Sequence, residues 1–137
     1  MNDFARDDDI QEILQETETI AVVGLSEKTY RPSYGVSKYL QSRGYRIIPV
    51  NPNYDSVLGE TCYPSLIDVP EPVKTVNVFR NPEYVMPVVD EAIEIGAKYL
   101  WLQEQVVHEE AAQKAQNAGL TVVMNRCMLK EHRRFGE

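Results

Sequence analysis

Cysteine is scarce in this chain, and the two present, Cys62 and Cys127, lie far apart and form no CxxC pair. With only His108 and His132 to add, no zinc-like cluster can be drawn, so no metal ligand set is expected and a reduced, cytoplasmic setting is the simplest reading. Long apolar runs are missing too. None approaches the ~20 residues that span a bilayer, and the acidic start MNDFARDDDI lacks the basic and apolar regions of a signal peptide. No membrane partner is expected. Positive charge is in deficit: 14 Lys and Arg against 21 Asp and Glu leave a formal charge of −7, which argues against a nucleic-acid surface. An anionic ligand must therefore be held by a few local groups. Glycine is short where a dinucleotide site would need it, because after Gly24 the next is Gly35 and the GxGxxG fingerprint fails at two positions. That disfavours a standard NAD pocket.

What is present is a single-domain length of 137 residues, 43% of them apolar, enough to bury a core without disulfides. The organising stretch is Thr19 to Asn53. Its apolar run Ile20-Ala21-Val22-Val23 is short and β-branched, as a strand buried on both faces is, and it stops at Gly24. A polar loop from Leu25 to Pro32 leads to Ser33, which can cap a helix carrying Val36, Tyr39 and Leu40 and ending near Gly44. Tyr45 to Val50 reads as a second strand. Together these make a βαβ unit.

Before it, Asp8 or Asp9 can cap a helix that presents Ile10, Ile13 and Leu14, so residues 1–18 read as a helical lid. After it, residues 55–72 form a connecting segment, with one helical turn expected around Ser65 to Asp68. Thr75 to Phe79 has strand composition. Asn81 and Pro82 suit a helix start, but Pro87 would break a helix interior, so the pattern predicts a turn at Glu83 to Met86 and a new helix from Pro87, ended by Gly96. Lys98 to Leu102 is a fourth strand, Glu109 to Ala118 a helix, and Leu120 to Met124 a fifth strand, with residues 128–137 left as a charged tail. Alternation of this kind predicts an α/β fold: a three-layer, doubly wound parallel sheet of about five strands.

In such a sheet all carboxyl ends face one rim, where open α/β folds bind their ligands. The rim residues are Gly24, Leu25, Ser26, Asn51, Pro52, Phe79, Arg80, Gln103, Asn125, Arg126 and Cys127. Ser26, Lys28 and Arg31 offer side-chain contacts to phosphate, with amides of the Ser33 to Gly35 helix start beside them. Tyr30, Tyr34 and Tyr54 could stack on a base. The set contains the parts for holding a phosphorylated nucleotide and no obvious acid–base pair.

The segments VVGLSEKTYRPSYGVSKYLQSRGYRIIPVNP, VNVFRNPE, AKYLWLQEQVVHEEAAQKAQNAGL and VVMNRC occur in this order. They resemble the small stand-alone CoA-binding proteins of bacteria and archaea, which are in turn similar to the N-terminal CoA-binding domain of the succinyl-CoA synthetase α subunit. The resemblance implies a Rossmann-like domain that binds coenzyme A, free or acylated, with no catalysis of its own. By matching motif positions, Gly24, Leu25, Ser26 and Arg31 would hold the phosphate end, Asn51 and Pro52 the adenosine side, and Phe79 and Arg80 would flank the nucleotide. Trp101, Leu102 and Gln103 occupy the fourth-strand motif; alternation puts Trp101 and Gln103 on one face and Leu102 on the other. The family commonly has glycine at the position of Gln105 and an acidic residue at that of Asn125.

The synthetases transfer phosphate through a histidine in a second domain, which this chain ends before. His108 would then be a solvated helix-start residue beside Glu109 and Glu110. Two other readings stand beside CoA binding. One is an NAD(P)-dependent oxidoreductase; the other is a thiol-redox protein in which Cys127, next to Arg126, forms a mixed disulfide with CoA, against the plainer reading of Cys127 as a small packed residue. Cys62, in the connecting segment, is given no role. A homodimer or an unidentified protein partner is left open.

Overall fold

The structure, a computed structural model, describes residues 4–135. In chain order the elements are α1 (Asp7–Glu16), β1 (Thr19–Val23), α2 (Pro32–Ser42), β2 (Arg46–Val50), β3 (Ser56–Val57), β4 (Glu60–Thr61), β5 (Thr75–Val78), α3 (Val85–Glu94), β6 (Tyr99–Leu102), α4 (Glu109–Asn117), β7 (Thr121–Met124) and α5 (Met128–Phe135), with short 3-10 turns at Leu66–Asp68 and Pro82–Tyr84. Five strands form one parallel sheet in the order β2-β1-β5-β6-β7. It is the predicted Rossmann-like α/β architecture. The order reverses between β1 and β5, so the crevice of this fold opens there.

Alternation along each strand divides the core in two. On one side Ile20, Val22, Ile47, Tyr99, Trp101 and Val123 pack with Ile10 and Ile13 of α1, Val36 and Leu40 of α2, and Met128 of α5. On the other, Ala21, Val23, Val76, Val78, Leu100, Leu102 and Val122 meet Val88, Val89 and Ala92 of α3 and Ala111, Ala112 and Ala115 of α4. Trp101 and Leu102 thus take opposite faces, and both are fully buried. The indole Nε1 donates to the Arg126 carbonyl at 2.8 Å.

Several local expectations are corrected. α1 is entered from Arg6, not capped by Asp8 or Asp9; Asp9 sits in the first turn and its carboxylate accepts from the Arg6 amide at 2.9 Å. α2 is entered from Arg31 with Pro32 first, which frees the Ser33 hydroxyl to accept from the Ser26 amide at 3.0 Å. α3 starts at Val85, before Pro87, because proline in the first turn lacks only an N–H that would have no intrahelical acceptor. The connecting segment contains a small hairpin, β3–β4, whose turn places Leu58 and Gly59 at φ of 54° and 77°. Both central residues of a two-residue hairpin turn need that left-handed backbone, and leucine gave no sign of it.

The charged tail is also corrected. Residues Met128–Phe135 form α5, with Met128, Glu131 and His132 buried. Two of its side chains are partnered from distant elements: His132 Nδ1 lies 2.9 Å from the Tyr39 hydroxyl, and Arg134 reaches Asp7 of α1 at 2.8 Å; within the helix the Glu131 carboxylate accepts from Arg134 at 2.9 Å. Charge read along the sequence as solvation is here tied in part to residues far away in the chain.

Tyr99 is buried in β6, and its hydroxyl donates to Glu12 of α1 at 2.8 Å. Burial, and then the Glu12 carboxylate, push its pKa up from 10.0 to about 12. The native state therefore holds this proton more tightly than the unfolded chain. Its contribution is complete below about pH 10 and is lost as pH rises towards 12, a change of roughly 2–3 kcal/mol. Denaturant unfolding followed between about pH 8 and pH 11 should show the first half of this loss, about 1.4 kcal/mol, in the native chain and a flatter profile in Tyr99→Phe.

Candidate functional site

At the switch point the ends of β1 and β5 nearly touch. The Gly24 amide donates to the Val50 carbonyl at 2.8 Å, and the Phe79 amide donates to the Val23 carbonyl at 2.8 Å. Gly24 has φ of +89°, and a Cβ there would stand 2.1 Å from the Phe79 carbonyl oxygen and 3.2 Å from Arg80 Cδ. Only glycine fits, on backbone and on space alike.

Two cavities open beside this contact. The larger, an open cleft of about 370 Å³, is lined by Gly24, Ser26, Lys28, Arg31, Pro32, Ser33, Asn51, Asn53, Tyr54 and Phe79. The smaller, a slot of about 160 Å³, has Val23, Val50, Pro52, Arg80, Tyr84, Pro87, Val88 and Glu91 among its walls. Neighbouring residues serve different cavities: Val23 and Gly24, Val50 and Asn51, Phe79 and Arg80. Alternation at three strand ends thus builds a crevice with a polar side towards α2 and a more apolar side towards α3.

The polar side is held by its own hydrogen bonds. Ser26 Oγ accepts from the Lys28 amide at 3.0 Å and lies 3.4 Å from the Tyr54 hydroxyl. Asn51, 7% exposed, donates from Nδ2 to the Leu25 carbonyl at 3.1 Å and accepts at Oδ1 from the Asn53 amide at 2.9 Å. Its carboxamide clamps the β1–α2 loop to the β2 loop. The helix start contributes less than expected, since the Tyr34 and Gly35 amides both donate to the Arg31 carbonyl at 3.1 and 3.3 Å. The groups on this side with hydrogen-bonding capacity to spare are therefore side chains rather than helix amides. Lys28, Arg31 and Arg80 join no ion pair among the described residues, and Arg80 Nε is buried without a hydrogen-bond partner while its guanidinium lies 5.8 Å from the Tyr84 ring centre.

Of the predicted site residues, Gly24, Ser26, Lys28, Arg31, Asn51 and Phe79 meet in the cleft, and Pro52 and Arg80 line the slot. Four others are not among the lining residues of either cavity. Leu25 is fully buried in the core on the α2 side; Tyr34, in the first turn of α2, is half-buried; Cys127, 8% exposed, packs in that same core. Gln103 donates from Nε2 to Asn77 Oδ1 at 2.9 Å, inside the protein. Sequence position put three of them at strand ends and Tyr34 in a helix start, but did not fix which way their side chains turn. It missed Asn53, Tyr84 and Glu91; Tyr84 immediately precedes α3 and Glu91 lies within it, at a position where the helical pattern alone gave no sign of the cavity. Cys62 lies directly beneath the site, donating its thiol proton to the Asn51 carbonyl at 3.4 Å, and burial pushes its pKa up. His108 is the cap of α4, its Nδ1 accepting from the Ala111 amide at 3.0 Å.

The two departures from the family pattern prove to be partners. Gln105 has φ of 69°, a left-handed backbone that glycine adopts without strain, and its amide donates to Asn125 Oδ1 at 2.8 Å. Replacing Gln105 with glycine relieves a strain of about 1 kcal/mol, so Gln105→Gly should raise the denaturation midpoint. At the switch point the opposite holds: Gly24→Ala should cost about 3 kcal/mol or more and abolish ligand-induced stabilisation, both readable by thermal unfolding.

Residues 18–133 match the family described as CoA binding domain. The uncharacterised protein YneT of Bacillus subtilis is 44% identical over 124 residues, covering 90% of this chain and 92% of its own length. A solved hypothetical protein from Pyrococcus horikoshii OT3, 46% identical, superposes with a TM-score of 0.92 over 96% of this chain and 92% of its own. The ADP-forming acetate–CoA ligase II of Archaeoglobus fulgidus is 33% identical over 82 residues, which is 58% of this chain but 12% of the ligase. With a match running almost end to end and the sheet and crevice described above, the chain belongs to the CoA binding domain family.

Proposed function

We propose that the protein binds coenzyme A or an acyl-CoA across the Gly24 edge of its sheet and leaves the molecule chemically unchanged. The observation that carries this reading is the collection of Lys28, Arg31 and Arg80 around one glycine-lined crevice, none in an ion pair among the described residues, in a chain whose net charge is −7. Cations so placed are available to an anion from outside the protein, and a phosphorylated ligand supplies one. Membership of the family supports CoA as that ligand. In this reading Ser26, Lys28 and Arg31 take phosphate oxygens, while Asn51 holds the loops in place. The absence of a cysteine in either cavity wall favours this over disulfide exchange, and the broken glycine pattern favours it over NAD(P).

Ligand binding is linked to stability, so CoA at 100 times its dissociation constant should add about 2.7 kcal/mol to unfolding, seen as a raised Tm. NAD, NADP and ATP should shift it less; a shift with NAD and none with CoA would overturn the proposal. If Arg31 contacts phosphate, Arg31→Ala should weaken CoA by about tenfold or more and adenosine hardly at all, measured by calorimetry.

A further inference from the structure

The two margins of the sheet are built differently. Beside β2 the chain after β4 seals the edge: the Asn51 amide donates to the Tyr63 carbonyl at 2.8 Å, and the Tyr63 amide donates to the Pro49 carbonyl at 3.0 Å. Pro49 also has no amide to offer a further strand. Beyond β7 there is no strand among the described residues. Its residues, Thr121-Val122-Val123-Met124, include neither a charge nor a proline, the usual guards that keep an edge strand from pairing with another chain. The Thr121 and Asn125 amides donate inward, to the carbonyls of Lys98 and Leu102, so alternation turns the amides and carbonyls of Val122 and Met124 outward. Left open, such an edge is a template for a second chain.

Yet Val122 is fully buried. The residues that lead into α1 are placed to cover it. Phe4, half-buried, packs against the layer of α3 and α4, while its neighbour Ala5, 7% exposed, packs in the layer of α1, α2 and α5. Successive residues that reach opposite layers carry the backbone across a margin of the sheet. Tyr63 already fills the β2 margin, and α1 begins beside α5, the helix that follows β7, where Arg134 meets Asp7 at 2.8 Å. On these grounds we infer that residues 4–6 form a strap across β7, and that releasing it lets β7 pair with β7 of a second copy of this chain. A second copy is the fitting occupant because an uncharged edge run antiparallel complements itself. Val122 of one copy then faces Met124 of the other, each pair exchanges both its N–H···O bonds, and a two-fold axis repeats the exchange. The inference is independent of the proposed CoA reading.

Sedimentation velocity on the full chain tests the strap. Phe4→Asp puts a charge where the strap meets the α3–α4 layer, and at about 100 µM it should sediment at about twice the native mass. Met124→Pro removes an outward amide and no bond to β6, so adding it to Phe4→Asp should restore the native mass. In that double variant the Val122 amide, uncovered and unpaired, should exchange its hydrogen at least about tenfold faster than in the native chain. Far-ultraviolet circular dichroism verifies each fold, and Phe4→Ala makes the same test should Phe4→Asp not fold. A folded Phe4 variant that keeps the native mass, or a doubled mass that survives Met124→Pro, would overturn the inference. So would Val122 exchange that stays at the native rate in the double variant, or a native dimer that Met124→Pro alone dissociates.

Discussion

The close approach of β1 to β5 governs the site. Parallel strands whose connections leave towards opposite faces must part at their carboxyl ends, and here they part over a single residue without a side chain. Because Gly24 lies against the Phe79 carbonyl, the two loops that follow start from fixed positions, one turning to α2 and the other to α3. The polar cleft and the apolar slot are the two sides of that divergence. Neither would exist if the strands ended with a residue that needed space between them.

Around this contact the molecule spends its polar side chains on holding loops rather than on reaching outward. Asn51 is the clearest case: sequence position suggests a ligand contact, yet both ends of its carboxamide are engaged by the chain itself. Ser33 and Ser26 likewise hydrogen-bond loop amides. A rigid frame of this kind leaves the charged side chains Lys28, Arg31 and Arg80 as the adjustable elements, and it lowers the ordering cost that a ligand would otherwise bear.

The layers and strand order of the sheet were legible because they follow from local rules: β-branched runs, breaks at glycine, and alternation of strand with helix. The rim was legible for the same reason, since a parallel sheet brings all its carboxyl ends to one edge. Side-chain direction was not. Leu25 and Asn51 are both at strand ends, and whether they turn into the core, a loop or the cleft is decided by contacts with residues distant in sequence. The α5 charges show the same limit from the other side, because Arg134 and His132 take their partners from Asp7 and Tyr39, neither of which is near in the chain. Family resemblance pointed to what periodicity could not, a class of ligand to test, and Gln105 holds the left-handed backbone that glycine adopts without strain.

Beneath the crevice, Asn77 of β5 and Gln103 at the end of β6 face each other as a carboxamide couple in an otherwise apolar interior. Such a couple adds little net stability, but it satisfies both groups in one alignment of the two strands alone. A slip of either strand by a single residue would turn its carboxamide to the other layer and leave both groups unpaired, at about 1–3 kcal/mol apiece. The couple therefore acts as a proofreader of strand pairing during folding, penalising misaligned sheets more than it rewards the aligned one.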